Sequence, residues 1–88
     1  MSSRISDPRI MAAQTTGVIA GITNDTVLEI ALVADLLLAM GTWSDVRFMF
    51  DDLACHRGHT FKVSVTGFGS MLFEWADEFG PVNLRLLE

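Results

Sequence analysis

The chain has 88 residues, half of them apolar, with 6 Lys and Arg against 11 Asp and Glu and a formal net charge of −5. That length admits one small domain, burying about 60% of the surface its unfolded chain would expose, and that apolar content excludes disorder. The acidic balance opposes attraction to phosphate backbones, which depends on Lys and Arg displacing counterions, so direct nucleic-acid binding is not expected.

A lone cysteine cannot form an internal disulfide, and MSSRISDPRI lacks the apolar region of a secretory signal, so a cytoplasmic setting is the default expectation. Residues 1–14 show no clear period and read as an N-terminal tail or a short extra element, with a single domain over residues 15–88. TGVIAGI, Thr16 to Ile22, is short, partly β-branched and glycine-containing; it reads as a buried strand, with the end of a helix as the alternative.

Thr23, Asn24 and Asp25 are good N-cap residues before a long apolar segment, and Gly41 follows it, so a helix is expected from Asp25 to Met40. Its apolar run is shorter than the roughly 18 residues a membrane span needs and is interrupted by Glu29 and Asp35. At about 100° per residue, Val27, Ile30, Ala31, Ala34, Leu37 and Leu38 form one stripe, while Leu28, Leu32, Leu36 and Ala39 form a second on nearly the opposite side. One sheet can cover only one of these, so Leu28, Leu32 and Leu36 are expected to be covered by the N-terminal segment or by self-association as a homodimer.

Past Trp43 the period changes to two. Val46, Phe48 and Phe50 oppose Arg47 and Met49, and Phe61, Val63 and Val65 oppose Lys62, Ser64 and Thr66, which predicts a two-stranded hairpin with Gly58 available for a left-handed turn. Ser70 then caps an expected second helix with Leu72, Trp75, Ala76 and Phe79 on one face and Glu74, Asp77 and Glu78 on the other; Gly80 and Pro81 stop it. In the tail, Val82, Leu84 and Leu86 alternate as a last strand.

The resulting order, strand-helix-strand-strand-helix-strand, resembles the ferredoxin-like βαββαβ fold, an α+β class with an antiparallel sheet and both helices on one face. The alternative is a helical hairpin followed by ββαβ. ITNDTVLEIA followed by LLLAMGTWSDVRF is also similar in general shape to the start of ACT domains, which implies a ligand-sensing regulatory module; that, or a metal-binding regulatory module using the Cys55 and His59 loop, is the second functional reading.

FDDLACHRGHTF, Phe50 to Phe61, gathers Asp51, Asp52, Cys55, His56 and His59. Zinc takes such ligands, but the paired CxxC or HxxxH spacing is missing, and the segment reads as a polar turn without metal. Catalysis by Cys55 with His56 or His59 would need an acidified thiol, an oriented base and a pocket, so no catalytic residue is assigned. Gly67 and Gly69 read as a tight turn, lacking a third glycine or a P-loop lysine. Arg57-Gly58 before Phe61 resembles the start of an RNA-recognition motif, but Phe61 shares parity with Val63 and Val65 and so faces the core.

The expected function is that of a small acidic non-enzymatic binding protein without cofactor or metal, acting by occupying a protein partner's surface. Glu74, Asp77 and Glu78 at i, i+3 and i+4 would share one helix face, and Arg47 and Lys62 would lie on the open sheet face. Size, acidity and the missing chemistry suggest a phage-type inhibitor of host defence, similar to anti-CRISPR proteins, whose partner could be a nucleic-acid-binding complex.

Overall fold

A computed structural model of the chain describes residues 4–88, and in it three helices precede every strand. The helices are α1 (Pro8–Thr15), α2 (Asn24–Ala39) and α3 (Trp43–Met49). The strands are β1 (Ala54–Arg57), β2 (Thr60–Val65), β3 (Gly69–Ala76) and β4 (Gly80–Leu87), an antiparallel meander in chain order. The class is α+β, but the ferredoxin-like order is not formed. With it goes the basis of the likeness to ACT domains. The alternative reading keeps its helical opening, α1 packed on α2, but its later helix is a strand.

Local chemistry explains each element. Asp7 caps α1, its carboxylate accepting the Arg9 N–H, and Pro8 supplies a first-turn residue that needs no donor. Part of the segment expected as a tail or extra element is therefore helical, with Ile10 and Ala13 in the core; residues 1–3 of that expectation lie outside the described residues. Gly17, at φ 73°, ends the helix by sending its N–H back to the Ala12 carbonyl. TGVIAGI is then a connection and not a strand. Gly17 and Gly21 both take left-handed conformations, Val18 is exposed, and Ile19 plugs into the core with Ile22 half-buried against it.

α2 matches its expected span to within one residue at each end, with the Thr23 hydroxyl accepting the Thr26 N–H. Val27, Ile30, Ala34 and Leu37 are fully buried against the sheet, as the first stripe requires. The second stripe is left open: Leu28 is 66% and Leu32 52% exposed, while Leu36 is half-buried.

The stretch expected as the first strand of a hairpin is α3. Thr42 caps it by accepting the Asp45 N–H, with Asp45 in the first turn and Arg47 in the last, both favourable to the helix dipole. The buried set is Val46 with half-buried Trp43 and Phe50, a spacing of three and four residues. Phe48 is therefore left 83% exposed, although alternation would have buried it.

The reverse error holds for β3. Met71, Phe73 and half-buried Trp75 face the helices in alternation, with Leu72 buried on the other face between Lys62 and Arg85, while Phe79 is 63% exposed in the following turn. Gly69 begins the strand because a Cβ there would come within 2.5 Å of the Leu87 carbonyl oxygen of the adjoining strand. The β3–β4 connection is a turn closed by the Phe79 N–H on the Ala76 carbonyl, followed by left-handed Gly80.

β2 and the end of β4 follow their expected parity: Val63, Val65, Leu84 and Leu86 face the helices together with Met71 and Phe73, but across a register shift Val82 pairs with Glu74 and leaves the expected set. The other sheet face carries the row Lys62, Leu72 and Arg85, opposed in register. Beyond β4, Ile5 adds a parallel bridge to Leu84, and the Arg4 guanidinium donates to the Leu38 and Pro81 carbonyls, joining the end of α2 to the start of β4.

A half-buried aromatic shelf

The acidic triad is not a helix face. Glu74 lies in β3, where its carboxylate accepts hydrogen bonds from Thr60 Oγ1 and Asn83 Nδ2 and lies 3.7 Å from Arg85. Asp77 and Glu78 occupy the exposed β3–β4 turn. Nor do Arg47 and Lys62 share a sheet face: Arg47 is exposed on α3, and Lys62 is half-buried on β2 beside Leu72. Asn83, at φ 57°, sits by a register shift in β4, a conformation Asn adopts more readily than most residues, with its amide donating to Glu74 and accepting from the Ser6 hydroxyl. Glu74 is thus committed to holding that shift in place.

FDDLACHRGHTF divides into three parts. Phe50 closes α3, the stretch from Ala54 enters β1, and Gly58 and His59 form a two-residue turn to β2, with Gly58 at φ 55° as expected. Asp52 has a separate task. Its Oδ2 accepts the Ser64 backbone N–H at 2.7 Å, so the carboxylate saturates a donor on β2. Hydrogen bonding from the Ser64 side chain, opposed by partial burial and helped by the Ser64 backbone N–H, holds Asp52 below the usual carboxylate range.

Cys55 is exposed, and its Sγ lies 3.5 Å from the Gly58 carbonyl oxygen, with no base oriented on it. Among the described residues, no three His, Cys, Asp or Glu side chains converge as a metal site requires. A chelator is expected to leave the melting temperature unchanged, and Cys55→Ser and His59→Ala to cost no more than about 0.5 kcal/mol each. Stoichiometric zinc on elemental analysis of untagged protein, with large losses in both variants, would restore the metal reading.

The turn does contribute one residue to a more distinctive place. Trp43 from the start of α3, Phe61 from β2 and Trp75 from the end of β3 meet over the sheet, and His59 stands at their rim. Together they line an open cleft of about 290 Å³. The Trp43 and Phe61 rings are 4.7 Å apart between centroids and tilted by 54°; Trp43 and Trp75 are 5.4 Å apart and nearly edge-on. Phe61 continues inward to Phe73 at 5.9 Å, which ties the surface cluster to the core.

These distances decide what the cluster can hold. Rings at such spacings already touch one another in the tilted arrangements aromatic pairs prefer. No room is left between them for an ammonium group, so this is not an aromatic cage of the kind that encloses methylated amines. It is a shelf: three half-buried rings with their outer surfaces toward the cleft and an imidazole at the edge able to donate or accept one hydrogen bond.

Phe61 was legible as a core-facing strand residue, and it is the inner wall of the shelf. Trp43 and Trp75 were not recognised as its partners. The signal for the first was Thr42-Trp43-Ser44-Asp45, a helix-opening pattern that brings Trp43 onto the buried side. The signal for the second was Met71, Phe73 and Trp75 in alternation.

Comparison of the chain with protein-family models, curated proteins and solved structures gave no match. Among the described residues, no helix is long and apolar enough to cross a membrane.

Proposed function

We propose that this chain is a small, acidic, non-enzymatic binding protein that acts by occupying a surface of a protein partner, with the Trp43–Phe61–Trp75 shelf as its anchor. The observation that carries this reading is the shelf itself: two tryptophans and a phenylalanine packed firmly enough to be held in place, yet still half open to solvent. Interfaces draw most of their binding energy from a few such aromatic anchors, rigid before contact and desolvated on it.

Small size and a net charge of −5 support the narrower reading, an inhibitor of host defence of the anti-CRISPR kind directed at a nucleic-acid-binding complex. An acidic protein is attracted to the basic surfaces such complexes present to nucleic acid, and this speeds its association.

The test places a photo-crosslinking amino acid at His59, on the rim, and in a second chain at Ser64, exposed on the open face of the sheet. Irradiation in the cell is expected to give one discrete protein adduct from position 59, absent from position 64 and lost when Trp43→Ala is added to the first chain. No adduct from position 59, or one that persists unchanged with Trp43→Ala, overturns the reading.

A further inference from the structure

A second surface, independent of the shelf, is the outer face of α2. Leu28 and Leu32 stand one turn apart on it, 66% and 52% exposed, and no other element of the described chain covers them. At about 100° per residue, Asp35 lies to one side of the Leu28–Leu32 line, and Asp25 and Glu29 lie to the other. The helix contains no Lys or Arg, and none of its three carboxylates is ion-paired among the described residues; Asp35 accepts only the neutral Gln14 amide, at 2.7 Å. At its N-terminal end the stripe opens into a groove of about 400 Å³ between Asp25, Thr26, Leu28 and Glu29 of α2 and Thr66 and Gly67 of the β2–β3 turn.

We infer that this face is the docking site for a basic amphipathic helix of a partner protein. Charge decides against a second copy, because stacking α2 on its own twin sets three carboxylates against three with no cation between them. The same carboxylates repel anionic bilayers and nucleic acids. An apolar ridge with i, i+4 spacing accepts the ridges of another helix, and Lys or Arg flanking that helix's apolar stripe would meet Asp35 on one side and Asp25 and Glu29 on the other.

The probe is a synthetic peptide of about 18 residues, Leu and Lys in amphipathic order, long enough to be helical on contact. Titrated into isotopically labelled protein at low salt, it is expected to shift the amide signals of Leu28, Leu32, Thr66 and Gly67. The Trp43 and Trp75 indole signals should stay in place. Affinity is expected to fall at least tenfold for a scrambled peptide of the same composition, and again for the Leu28→Ser, Leu32→Ser double variant. Both replaced positions are exposed, so that variant is expected to fold; its melting curve checks this. Binding that survives the double substitution, or shifts confined to the Asp77–Glu78 turn, overturns the inference. So does a dimer in sedimentation that Leu32→Glu converts to a folded monomer, since the occupant would then be a second copy. None of these results bears on the crosslinking from His59, which tests the shelf separately.

Discussion

Replacing Phe73 by Ala is expected to lower the melting temperature by roughly 15 °C or more, or to prevent folding. Phe73 is fully buried at the centre of β3, opposite Phe61 in the ladder, with the two rings 5.9 Å apart. Truncating such a side chain removes its transfer energy and leaves a cavity, together about 3–5 kcal/mol, against a total stability of about 5–15 kcal/mol for a domain. Each kcal/mol corresponds to about 4–8 °C in a chain of this size. The matching control is Phe79→Ala, which should be nearly silent because Phe79 lies 63% exposed in the turn. The pair distinguishes the two structures this segment could have formed, since a helix over residues 70–79 would have buried Phe79 instead. Equal losses from the two substitutions, read by thermal melting, would contradict the strand.

Replacing Asp7 by Ala is expected to be the next largest loss, about 2–3 kcal/mol. One carboxylate oxygen accepts the Arg9 backbone N–H at 3.0 Å, the other accepts the Leu86 N–H at 3.1 Å, and the Arg9 guanidinium bonds to both. Alanine deletes a helix cap and leaves a β4 donor without its partner. Asn at position 7 keeps the cap but not the charge, and should cost less. The difference between wild type and Asp7→Asn also depends on pH. Burial alone would raise the Asp7 pKa, but the hydrogen bonds from Arg9 and Leu86 outweigh it, and the folded value lies below the ordinary one. A depressed carboxylate stabilises fully above its unfolded pKa, about 3.9, and loses that contribution as pH falls through the lower folded value. Asp52 adds to the same acid limb with the same sign. Urea midpoints at pH 7 and pH 3 should therefore show the gap between wild type and Asp7→Asn closing at the lower pH. A gap of constant size would show that the charge of Asp7 does not hold α1 to β4.

What could be read from the residues followed from the length of each signal. α2 is long and bounded by the Thr23 cap, and the stripe it turns to the core was legible, although Val33, outside that stripe, is buried as well, and the second stripe, expected to be covered, is open at Leu28 and Leu32. Gly58, β2 and the end of β4 also followed local rules that tertiary contacts did not override. The seven residues of α3 satisfy both periods. Val46, Phe48 and Phe50 alternate, while Trp43, Val46 and Phe50 repeat as a helix, and the cap at Thr42 decides between them. In β3 the helical face of Leu72, Trp75 and Phe79 was read where Met71, Phe73 and Trp75 pack in alternation; pairing with both neighbouring strands settles it. The shelf was invisible for a different reason. It requires α3 and β3, the two misread elements, to converge on β2, and no local pattern records such a meeting.

The placement of Ile5 beside Leu84 bears on how the chain folds as it is made. Residues 4–7 form the last rung of the sheet, yet they leave the ribosome ahead of all four strands and must wait for β4, dozens of residues later, before they have anything to pair with. The buried faces of α1 and α2 wait as well, because the strands they cover are all encoded after them. Helix formation itself is fast and local, whereas closing a loop that spans nearly the whole chain is the slow step. Nascent chains stalled before residue 80 should therefore be helical but protease-sensitive, and resistance should rise sharply once β4 has cleared the exit tunnel.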